Sequence, residues 1–103
     1  MSEYSVIMST AGSVEDARAL AKALIDAKLA ACVQLLPIES LYTWNGEIAQ
    51  EAETLMLIKT RAGLYEDVEA KIVELHSYET PEVLQLEVQR SSGSYLAWIT
   101  AVT

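Results

Sequence analysis

The chain is short of positive charge, of cysteine and of histidine. Seven lysines and arginines stand against 15 aspartates and glutamates, a formal charge of −8. Nucleic acids and anionic membrane surfaces are held through basic patches, so this balance argues against both as partners. A single cysteine, Cys32, excludes an intramolecular disulfide and suits a reducing, cytoplasmic setting. That cysteine and a single histidine, His76, cannot complete a structural zinc site, which normally takes four ligands. No apolar run approaches the roughly 18 residues that span a bilayer. Met1-Ser2-Glu3-Tyr4 lacks a basic region leading into an apolar one, so no signal peptide is expected. Also missing are a glycine-rich phosphate loop, a Gly-x-Ser-x-Gly elbow, internal repeats and low-complexity tracts. Nothing points to an enzyme.

What is present is apolar material in short, alternating pieces. The 103 residues, 51% of them apolar, suit one domain over 1–103. Tyr4 to Thr10 reads as a strand with a continuous apolar centre. Ser13 is an N-cap signal, with Glu15 and Asp16 in the first turn to offset the helix dipole. Val14, Ala17, Leu20, Ala21, Leu24, Ile25 and Lys28 follow at helical spacing. From Cys32 to Thr60 the chain reads as one long hairpin, its turn at Asn45-Gly46, two residues that accept positive φ. Each arm is about a dozen residues, roughly twice a usual strand. Pro37 calls for an edge position or a bulge. A second helix is predicted over Leu64 to His76, with Leu64, Val68, Ile72 and Leu75 inward and an Asp67–Lys71 pair outward. Val83 to Val88 alternates as a strand, and Ser91-Ser92-Gly93 opens a last helix whose Trp98 is expected in the core.

The order β-α-β-β-α-β plus a terminal helix predicts an α+β, ferredoxin-like fold. Right-handed crossovers put both long helices on one sheet face, with the first and third strands central. Val6-Ile7-Met8 and Leu55-Met56-Leu57-Ile58 send side chains to both faces. A ten-residue terminal helix cannot cover four strands, so other copies of the chain are expected to close the open face.

Candidate chemistry gathers in His76-Ser77-Tyr78-Glu79-Thr80-Pro81-Glu82, between a helix and a strand. His76 reads equally as a metal ligand or as a cap on helix carbonyls. Glu79 and Glu82 are further candidate ligands, Tyr78 can orient either, and Thr80-Pro81 stiffens the segment. Cys32 reads as a small buried apolar residue, or as a thiolate for a soft ion such as copper(I). Lys59 either snorkels to the sheet edge or meets an anionic ligand in a cleft between subunits. Trp44, beside the hairpin turn, packs on a partner or lines that cleft.

These segments together resemble the CutA family of divalent-cation-tolerance proteins. The resemblance runs nearly end to end. It is carried by Ser9-Thr10-Ala11, Lys28-Leu29-Ala30-Ala31-Cys32-Val33, Ser40-Leu41-Tyr42-Thr43-Trp44-Asn45-Gly46-Glu47-Ile48 and Leu57-Ile58-Lys59-Thr60. The His76 to Glu82 segment and Tyr95-Leu96-Ala97-Trp98 complete it. The family implies a homotrimer built through the sheets and the long hairpin, an architecture also resembling the PII signalling proteins. It implies a role in tolerance of copper and other divalent ions, with no obligatory cofactor. In copper-binding relatives a cysteine stands at the Ser9 position and a second histidine at Leu75, so only His76 of that set remains. The resemblance to PII proteins implies an alternative, a sensor of small anions near Lys59; a third reading is a trimeric scaffold for protein partners.

Overall fold

The first strand, β1 (Tyr4–Ala11), alternates between two layers. Ser5, Ile7, Ser9 and Ala11 are buried on one side, while Tyr4, Val6 and Met8 are half-buried on the other. In this computed structural model, which describes residues 2–103, the chain continues through α1 (Val14–Asp26), β2 (Cys32–Trp44) and β3 (Glu47–Arg61). A 3-10 turn (Ala62–Leu64), α2 (Tyr65–Leu75), β4 (Val83–Glu87) and α3 (Gly93–Val102) complete it. The four strands form one antiparallel sheet in the order β2-β3-β1-β4. The strands with the longest apolar runs, β1 and β3, are central, and the proline-bearing β2 is an edge strand. This is the ferredoxin-like arrangement that the element order implies.

Directly opposed residues share a face, so the register sorts the sheet into rows. Val33–Ile58–Ile7 and Leu35–Met56–Ser9 point to the layer of α1 and α2. There Ile7, Leu24, Met56, Ile58, Val68 and Ile72 are fully buried. Each such aliphatic side chain contributes about 1.5–3 kcal/mol by leaving water. The opposite rows, Leu36–Leu55–Thr10, Gln34–Leu57–Met8–Leu84 and Cys32–Lys59–Val6–Leu86, form the second face. Helix α3 covers only one end of it. Tyr4 shares a 2.6 Å hydrogen bond with Thr100, Arg61 donates to the Thr103 hydroxyl and carbonyl, and Lys59 lies 5.6 Å above the Tyr95 ring. Beyond α3, Leu36, Leu84 and Leu86 remain about half exposed (46, 53 and 50%).

The ends of α1 show local chemistry setting boundaries. Asp16 N–H donates to the Ser13 hydroxyl at 3.1 Å, the N-cap expected from sequence. At the other end the helix stops at Asp26, two residues before its apolar spacing runs out. Lys28 adopts the left-handed region (φ 60°), letting Leu29 N–H reach Leu24 O and Lys28 N–H reach Ile25 O. Those bonds satisfy the terminal carbonyls and swing Leu29 onto the core. Lys28 is therefore exposed and not part of the inward stripe.

Other expectations shift as well. Val14, Ile25 and Leu75, expected to face inward, are exposed. Lys71 pairs with Glu74 at 3.5 Å rather than with Asp67. Trp98 is 43% exposed and packs beside Tyr95, since α3 is apolar all round and presents only Ile99 to the interior.

Candidate functional site

Past the Ala11–Thr54 pair, β1 ends and the β2–β3 hairpin continues alone as a two-stranded ribbon. Its turn carries φ of 51° at Asn45 and 77° at Gly46, the positive pair that a two-residue hairpin turn needs. On the ribbon face that continues the open sheet face stand Ser40, Tyr42 and Trp44 of β2 and Ala49, Glu51 and Glu53 of β3. The segment His76–Glu82, leaving α2 for β4, passes over this ribbon. Between them lies a cleft of about 730 Å³.

The cleft is acidic and aromatic. Glu39, Glu51, Glu53, Glu79 and Glu82 line it with Tyr42, Trp44 and Tyr78, and no lysine, arginine or histidine does. Tyr78 closes one wall by donating its hydroxyl to Glu53 Oε2 at 2.9 Å. Burial and that carboxylate push the Tyr78 hydroxyl up to about 12. Across the ribbon, partial desolvation and the Glu51 carboxylate raise Tyr42 from its ordinary value as well. Gly12 leaves room for this wall: a Cβ at that position would stand 3.1 Å from the Tyr78 hydroxyl, so the ring would have to shift by a few tenths of an ångström.

Thr10 supplies the floor. It is 6% exposed and lines the cleft. Its carbonyl is used. His76 Nε2 lies 2.6 Å from Thr10 O, while His76 Nδ1 accepts from Tyr78 N–H at 3.0 Å. The ring is thus neutral with the proton on Nε2, and it also stacks obliquely on Tyr78 at 4.6 Å. His76 ties the end of β1 to the segment that walls the cleft, and within one chain it offers no free ring nitrogen to a metal.

The residues singled out from sequence therefore separate into three places. Glu79, Glu82, Tyr78 and Trp44 meet in the cleft. His76 sits behind it as a clamp. Lys59 and Cys32 oppose each other on the open face near α3, well along the sheet from the cleft. Ser9 is fully buried on the helix side with an unpartnered hydroxyl, and Leu75 borders a small hollow of about 190 Å³ with Asp16, His76 and Ser77. No group of three or more His, Cys, Asp or Glu side chains among the described residues converges as a metal cage. Sequence reasoning missed Glu51 and Glu53. Their alternation on β3 was legible, but that the ribbon folds under the 76–82 segment was not.

Comparison with known proteins places this geometry. The model of the CutA1 divalent ion tolerance proteins matches residues 5–102. The chain belongs to this family. A divalent-cation tolerance protein CutA of Archaeoglobus fulgidus is 38% identical over 93% of this chain and 94% of its own length. Its Thermus thermophilus counterpart is 37% identical over 91% of this chain and 92% of its own. The solved structure of CutA1 from Oryza sativa superposes with a TM-score of 0.96 at 36% identity, covering 99% of this chain and 94% of that one. The solved CutA of Archaeoglobus fulgidus gives 0.95 at 36% identity over 96% of this chain and 97% of that chain, and is described as periplasmic. The family is named for tolerance of divalent ions, not for an enzymatic reaction. No helix among the described residues is long and apolar enough to cross a membrane.

Proposed function

We propose that this chain is a small, non-enzymatic homotrimer of the cytoplasm that binds divalent cations weakly, copper(II) among them, and so contributes to metal tolerance. The observation that carries the reading is the cleft with five glutamates and no basic side chain. Opposed to nothing, these carboxylates lower the potential of the cavity and concentrate cations in it. Their spread fits loose, exchangeable ions that keep part of their water, as hard divalent ions do with carboxylates. With neither thiolate nor free imidazole in the cleft, the donors are oxygens, which disfavours copper(I). Glu82, Glu79, Glu51 and Glu53 are the ligands, and His76 holds the wall. The CutA relatives, named for divalent-cation tolerance, support the same reading.

The trimer rests on the uncovered half of the open sheet face. An apolar patch of this kind marks an interface, and copies related by a closed symmetry cover it without leaving free edges. The lone thiol of Cys32 suits a reducing compartment. The sensor alternative, a small anion near Lys59 between subunits, draws no support from this cleft, which no basic side chain lines.

Calorimetric titration with Cu(II), Zn(II) and Mg(II) tests the site. Glu51→Gln/Glu53→Gln is expected to weaken binding at least tenfold, about 1.4 kcal/mol. His76→Ala is expected to act only through loosening the wall, with a smaller effect. Unchanged affinity in the double glutamine variant removes the cleft from the account.

A further inference from the structure

Among the described residues, 77–82 make no hydrogen bond from backbone to backbone. Two bonds of Tyr78 tie the segment down: its N–H donates to His76 Nδ1 at 3.0 Å and its hydroxyl to Glu53 Oε2 at 2.9 Å. The first depends on the charge of one ring. His76 meets an acceptor with Nε2, the Thr10 carbonyl at 2.6 Å, and a donor with Nδ1. Only the neutral imidazole with its proton on Nε2 serves both, because a protonated ring has two donors and no acceptor. Proton uptake at Nδ1 sets one N–H against another, so the Tyr78 amide loses its partner. The bond from Nε2 to Thr10 O survives, and the ring stays on β1 while the segment comes away.

The groups around the ring give the proton a place in the fold. From α1, Asp16 lines the hollow of about 190 Å³ beside His76, the only other titratable side chain to do so. From β3, Glu53 lies beyond Tyr78, which is the titratable neighbour on the segment itself. The contacts from α2 and β1, Leu75 and the Thr10 carbonyl, carry no charge. Each carboxylate compensates a positive ring.

We propose that His76 is a latch that acid opens, releasing Tyr78 and with it one wall of the cleft. Imidazole is the side chain whose charge ordinarily changes between about pH 5 and 8. The latch is a property of the fold and goes beyond the cation reading: it holds or fails whatever the cleft binds.

The test follows the intact, isotopically labelled protein from pH 7.5 to 5.0. Ring nitrogen shifts report the protonation of His76, and hydrogen exchange, corrected for intrinsic rates, reports the Tyr78 amide. Tyr78 protection is expected to fall at least tenfold in step with proton uptake at Nδ1, with the amides of Ile7 and Ile58 in the central strands unchanged. In His76→Gln, whose side chain stays neutral, protection at Tyr78 is expected to change less than twofold over the same range. Should that variant not fold, the wild-type titration decides alone, since both quantities are read in one sample. Constant Tyr78 protection while the ring takes up its proton overturns the latch. So does a ring still neutral at pH 5.0, or an equal fall in His76→Gln.

Discussion

Tyr78 shows how one side chain couples fold and site. Its hydroxyl donates to Glu53, its N–H donates to His76, and its ring packs on that imidazole. The folded state holds the phenol proton up to about pH 12, against about 10 in the unfolded chain. The native state therefore binds the proton more tightly, and this contribution is complete below pH 10 and fades as pH rises toward 12. Urea midpoints measured from pH 8 to 11.5 are expected to fall above pH 10 in the wild type and to fall less in Tyr78→Phe. Parallel curves for the two proteins would show that Tyr78 is not the group responsible. His76 illustrates what sequence withholds. A histidine after a helix is legible as ligand or as clamp, and only the positions of Thr10 O and Tyr78 N decide between them.

Among the elements, α1 and the hairpin were the most legible because their signals are local. Ser13 with Asp16 marks a start, and Asn45-Gly46 marks a turn, whatever the rest of the chain does. The end of α1 was misread at Lys28, since apolar spacing continues while the backbone has already turned left-handed. Glycine there removes the Cβ conflict at the cost of extra freedom in the unfolded chain. Lys28→Gly is expected to raise unfolding stability by about 0.5–1 kcal/mol, read from denaturant midpoints. A loss of stability would mean that the lysine side chain contributes more than its backbone strain costs. The acidic cleft was only half legible. Glu79 and Glu82 stood out beside the histidine, but Glu51 and Glu53 lie some thirty residues earlier and meet them only through the ribbon's path.

At the scale of the whole molecule, one sheet face is sealed by α1 and α2 and the other is sealed only at the α3 end. The excess length of β2 and β3 carries the ribbon beyond the last β1 pair and gives the molecule its 44 × 26 × 22 Å form. Light scattering after size exclusion is expected to give three chains per particle at micromolar concentration. Leu84→Asp, placing a charge on the β4 edge of the open face, is expected to shift the mass toward one chain. A wild type that stays monomeric removes the interface. The central claim, that cations collect where β3 passes under the 76–82 segment, is most directly tested by adding Mn(II) to isotopically labelled protein and following paramagnetic broadening. Amide signals of Glu51, Glu53, Tyr78, Glu79, Thr80 and Glu82 are predicted to broaden first, with those of Lys59 and α3 unaffected. First broadening along the acids of α2, or uniformly over the surface, would contradict it.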